Sequence, residues 1–155
     1  MLSDRLVRRI ETHADELTRA LVDDLQHNPR TPAYHRLSRE VLHHRTYHVY
    51  KDLGSWLSSK AEDDIEANYT SLGKERVAEG IPLNEVVFAL SLTKYHLRDY
   101  IRTAGLIDSA VDLYQALEFQ RLLSNFFDKA TYYTVRAYER TAGFREMTGA
   151  LRSAH

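Results

Sequence analysis

Leu72-Gly-Lys-Glu-Arg-Val-Ala-Glu-Gly-Ile-Pro-Leu-Asn-Glu-Val-Val-Phe-Ala-Leu90 reads as the end of one helix, a tight Gly-Ile-Pro corner and the start of a second helix. Gly80 reaches positive φ at no steric cost and so ends a helix, while the preset φ of Pro82 suits the opening turn of the next. Outward from this corner the chain keeps the same habit. Its three prolines fall at only two places, Pro29/Pro32 and Pro82, and it has six glycines, as a chain of long helices with few corners should.

Apolar spacing predicts five main helices. The first starts at an N-cap on Ser3 and carries Leu6, Ile10, Ala14, Leu17, Leu21 and Leu25 as far as Asn28-Pro29. Thr31-Pro32 begins a short turn, after which Ser38 caps a second helix bearing Leu42, Val49, Leu53 and Trp56/Leu57 to about Ser58. A third opens on Glu62-Asp63-Asp64, carboxylates that suit the positive end of the helix dipole, and runs to Gly80. The fourth follows Pro82 with Leu83, Val86, Val87, Leu90, Leu97 and Ile101 as its stripe, and Gly105 closes it. Asp108 or Ser109 caps the last and longest, lined by Leu113, Leu117, Leu122, Leu123, Phe126, Ala130, Tyr133 and Ala137. After Arg140 the periodicity weakens and two glycines appear. Residues 1–140 are therefore expected to form a single helical domain and residues 141–155 a tail or linker. The expected class is all-α, a globin-like stack or an antiparallel helical bundle.

A chain of 155 residues suffices for one core without staples. The absence of cysteine excludes a disulfide scaffold, a thiolate zinc site and a cysteine nucleophile, and a reducing, cytoplasmic setting is expected. The charged amino terminus lacks the apolar region of a secretory signal, and no run reaches the length of a membrane span, so no membrane partner is expected. With 21 basic and 22 acidic side chains the net charge is −1, too little field to hold a polyanion, which argues against nucleic acid.

Eight histidines raise the question of a metal. His44 and His48 stand one turn apart, a spacing that can chelate. On a wheel with Leu42 at the core, however, they fall at about −160° and −120°, towards water, and no metal is expected. Glu40-Val-Leu-His43 is a single Glu-x-x-His element where a di-iron bundle needs two. His-Glu-x-x-His, Gly-x-Ser-x-Gly and a glycine-rich phosphate loop do not occur, so no catalytic residue is assigned and no enzyme is expected. The tyrosines, Tyr95, Tyr100, Tyr132, Tyr133 and Tyr138 among them, are read as core or rim rather than as a pocket lining.

The stretch from Leu72 to Leu90, with Leu37-Ser-Arg-Glu upstream and widely spaced leucines downstream, resembles the amino-terminal domain of the RsbT co-antagonist family (RsbR/RsbRD type). That resemblance implies a helical sensory or regulatory module of bacterial stress signalling. With the apolar periodicity that runs from Val111 to Ala137, it leads to the expectation of a homodimer formed through the first or last helix, signalling along the last helix to a fused output domain or a protein partner.

The same corner is similar to that of globin-coupled sensors, in which a histidine four residues before the corner glycine ligates haem. Arg76 stands at that position here. A guanidinium stays protonated and has no lone pair for iron, so the resemblance is to non-haem globin-like sensors, with no cofactor. A haem- or small-ligand-binding sensor is the alternative, with His96 as a displaced ligand although it falls at about −120° from the Leu90 axis. For Arg76 there are two readings: a head paired with Glu79 or Glu75 at the surface, or a cation in the cavity a haem would occupy, holding an anionic ligand. The first is preferred because an unpaired buried charge is costly.

Overall fold

A computed structural model describes residues 2–58, 61–105 and 107–153. Its regular elements are all helical: α1 (Leu2–Thr12), α2 (Ala14–His27), a 3-10 turn (Pro32–Arg36), α3 (Arg39–Lys51), α4 (Leu53–Trp56), α5 (Glu62–Ala78), α6 (Leu83–Thr103) and α7 (Ala110–Ser153). The all-α class holds, but the five expected helices are seven among the described residues.

Both extra helices arise from breaks that leave the apolar spacing intact. The first helix is interrupted at His13, whose backbone sits at φ −102°, ψ 20°, while its N–H is shared between the Arg9 and Ile10 carbonyls, both at 3.1 Å. The turn tightens there without the chain leaving the helical path. The second is interrupted at Asp52 (φ −109°, ψ 25°), and the Gly54 N–H freed at the start of α4 donates to Glu11 Oε1 of α1 at 2.9 Å. Periodicity cannot register a kink that a distant carboxylate stabilises. The expected cap at Ser3 concerns a side chain outside the described residues, and α1 already includes Leu2.

The remaining boundaries follow local chemistry. Ser38 Oγ accepts from the Val41 N–H at 3.1 Å, and Ser109 Oγ accepts from the Asp112 N–H at 3.1 Å, so each caps its helix. At the Gly-Ile-Pro corner Gly80 takes φ 71°. The Ile81 N–H reaches the Arg76 carbonyl and the Gly80 N–H the Val77 carbonyl, both at 3.1 Å, which is the Schellman pattern. Pro82 is the N-cap of α6 (φ −59°, ψ 144°) rather than its first helical residue.

One expectation for the last helix is corrected. Leu113 and Leu117 are half or more exposed, whereas Ala116, Phe119, Leu123, Phe126, Phe127 and Ala130 are buried, so the core stripe lies on a different face of the first two turns. Beyond Arg140, α7 continues to Ser153 through Gly143 and Gly149, as propensity costs of about 1 kcal/mol per glycine can be absorbed by a helix already nucleated.

The core joins Leu6, Ile10, Leu21, Tyr50, Tyr69 and Phe119 with their neighbours from every long helix. Each such side chain contributes about 1.5–3 kcal/mol by leaving water. The most extensive helix packing is α5 against α7, and α2 packs on both α3 and α6. Together they leave a slot beside the corner.

Candidate functional site

The slot is built from residues at helical spacing on three helices. Leu42, Arg45 and Val49 of α3 face Tyr69, Leu72 and Arg76 of α5, each set at i, i+3 and i+7, and Val86, Leu90 and Thr93 of α6 close the third side. The cavity holds about 70 Å³. Half of its lining residues are aliphatic, and the rest are tyrosine, threonine, asparagine and the two arginines.

Arg76 is 5% exposed, so its charge is not left in water. Its Nη1 donates to Glu79 Oε1 at 2.9 Å, and Arg45 Nη1 donates to the other oxygen of the same carboxylate at 2.9 Å. Glu75 Oε2 lies 3.7 Å from Arg76 but is largely in solvent. Thus the partner foreseen for Arg76 is present, while the guanidinium itself is inside the protein rather than at its surface. Tyr34, from the 3-10 turn, sits against it: burial raises the Tyr34 hydroxyl to about 12, although the Arg76 charge and hydrogen bond pull the other way.

The hydroxyls around the slot divide into those already used and one that is not. Thr46 Oγ1 bonds to the Leu42 carbonyl, Thr93 Oγ1 to the Ala89 carbonyl, and Tyr50 donates to the Thr93 carbonyl at 2.9 Å. Tyr69, 1% exposed, has a hydroxyl with no hydrogen-bond partner among the described residues. Burial raises its pKa.

The other sequence candidates lie elsewhere. His96 is outside the cavity, its Nε2 2.8 Å from Asp24 Oδ2, where it ties α6 to α2. His44 and His48 are exposed, their rings edge-on with centroids 5.8 Å apart, beside an open groove of about 450 Å³ shared with Arg19 and Arg39. No cluster of three or more histidine, aspartate or glutamate ligands able to hold a metal exists among the described residues. Sequence reasoning missed Arg45 and Tyr69. Their signal was available, since both share a face with Leu42 or Arg76 at i+3 or i+7, but each was overshadowed by a histidine cluster or read as core.

A second feature is on the surface. Phe144, Met147 and Leu151 of α7 are 65%, 59% and 63% exposed, and they follow one another at steps of three and four residues. Val111, Tyr114 and Leu117 are likewise exposed near the opposite end of α7. Among the described residues no helix is long and apolar enough to cross a membrane.

The described residues thus form an all-helical domain with a charged slot, an exposed apolar seam and no cluster of metal ligands among them. The chain is a member of the family described as the RsbT co-antagonist protein RsbRD N-terminal domain, whose model matches residues 2–146. It is accordingly a regulatory domain of stress signalling. No curated protein and no solved structure matches the chain.

Proposed function

We propose that this chain is a non-enzymatic cytoplasmic regulator that forms a parallel homodimer through the carboxy-terminal part of α7 and signals along that helix to an output domain or protein. The observation carrying this reading is the seam of Phe144, Met147 and Leu151. Steps of three and four are the a/d spacing of a two-stranded coiled coil, and a second copy in register supplies the matching surface. Arg145 Nη1 donates to the Val77 carbonyl at 3.3 Å, next to the corner, so the seam begins where α7 is still tied to the body. Residues 1–140 then act as the sensing body, read as a globin-like stack whose slot has shrunk, and the end of α7 as the connector. A shift at the corner changes the angle or register of the seam, because packed helix pairs have discrete alternatives.

The haem alternative has less support. Arg76 offers no lone pair, His96 lies outside the slot, and about 70 Å³ is too small for a porphyrin. Sedimentation equilibrium at micromolar concentration tests the leading reading. Twice the 18.0 kDa protomer mass is expected, with Met147→Asp/Leu151→Asp returning the monomer, and a monomeric parent protein would overturn it.

A further inference from the structure

We infer that the slot between α3, α5 and α6 is a binding site for a small organic anion with an apolar body, its charge held at Arg45 and Arg76 and a hydrogen bond supplied by Tyr69. This goes beyond the dimer reading and stands or falls separately. Three observations converge. First, Arg45 and Arg76 share the single carboxylate of Glu79, which leaves an excess positive charge in the wall of a half-aliphatic cavity. Glu75, 3.7 Å from Arg76 and 65% exposed, is screened by water and offsets little of it. Guanidinium forks suit carboxylates, because two N–H groups can meet two oxygens.

Second, Tyr69 keeps a buried hydroxyl unpaired while Thr46 and Thr93 in the same wall spend theirs on backbone carbonyls. An unmet buried hydroxyl is destabilising unless something fills the role. Third, the size suits a short aliphatic body: a water needs about 10–15 Å³ of such space and a benzene ring about 150 Å³, so about 70 Å³ admits a few non-hydrogen atoms, with the charged head at the arginine rim. Neither a phosphate, which lacks the apolar body, nor a neutral hydrocarbon, which leaves the charge unmet, fits both ends.

Titration of the full chain with propionate and butyrate, followed by calorimetry and by amide shifts, is the test. Saturable binding is expected, with shifts at Arg45, Leu72 and Arg76, and butan-1-ol and inorganic phosphate should bind at least tenfold more weakly than butyrate. Arg45→Gln should weaken butyrate at least tenfold. Tyr69→Phe should raise the melting temperature of the free protein yet weaken butyrate several-fold, a combination that a merely structural tyrosine would not give. No saturation at millimolar anion, shifts confined to the groove beside His44 and His48, or a Tyr69→Phe protein that binds as the parent does would each overturn the assignment. A thermal gain for Tyr69→Phe without anion binding would show that the slot holds only water.

Discussion

A Cβ built on Gly73 of α5 would stand 2.5 Å from the carbonyl oxygen of Thr134 on α7. The same atom would lie 2.9 Å from the Ala137 Cβ and 3.0 Å from the Tyr138 nitrogen. Backbone atoms of a buried helix cannot swing aside, so glycine is what lets α5 and α7 lie this close. Helix propensity alone would make Gly73→Ala stabilising by about 1 kcal/mol. The expected outcome is the reverse, a loss of about 2 kcal/mol or more in urea unfolding, because overpacking must push the helices apart. An alanine variant as stable as the parent would contradict the closeness of this pair.

At the site, Glu79→Gln leaves two guanidiniums without their shared negative charge. Breaking a fully buried pair costs about 3–5 kcal/mol and an exposed one less than about 1. With Arg76 buried but Glu79 partly wet, about 2 kcal/mol is expected. Glu75→Gln should cost little, since that carboxylate is mostly solvated. Equal losses for the two variants would mean that Glu79 is not the partner that matters.

Alkaline stability should be limited by buried tyrosines. The folded pKa of Tyr34 is raised from 10.0 to about 12, and burial also raises those of Tyr50 and Tyr69. A raised folded pKa means the stabilisation is fully present below pH 10, the unfolded value, and is lost as pH climbs towards 12. For Tyr34 that loss amounts to about 2–3 kcal/mol by linkage. Chemical denaturation between pH 9 and 12 should show stability falling steeply, and Tyr34→Phe should make the slope shallower. A flat profile in the parent would sink this reading.

Two glycines test the two ends of the signalling path. Gly80 has φ 71° with open space around its Cα, so Gly80→Ala is strained by backbone alone and should cost about 1 kcal/mol. Gly149 is inside α7 with nothing within 4 Å of an added Cβ, so Gly149→Ala should raise helicity there, gaining up to about 1 kcal/mol. Circular dichroism and amide exchange measure both. If Gly149→Ala slows no amide exchange in residues 141–153, the continuous α7 is wrong.

Much of the fold was legible because caps and corners are local. Ser38, Ser109 and the Gly80 turn are settled by groups within a few residues of one another. What the sequence hid depends on distant partners. The break before α4 is held by Glu11, and the close approach of α5 to α7 depends on a glycine whose neighbour is more than sixty positions away in the chain. Leu113 and Leu117 were misplaced because apolar residues on a helix end match more than one stripe, and only packing chooses between them. At the site, Arg76 was visible through the corner, but its burial follows from Arg45 and Tyr34, which no spacing rule links to it.

The seam on α7 is the centre of the functional account, and the absence of cysteine makes it directly accessible. With Leu151→Cys as the sole thiol, mild oxidation should convert the protein to a covalent dimer, because a parallel pair in register brings like a/d positions together. Glu146→Cys, about 160° away from Phe144 on the helix, should stay largely monomeric under the same conditions. Efficient crosslinking at 151 and not at 146 is the expected result; two cysteines that crosslink equally poorly would contradict a dimer built on this seam.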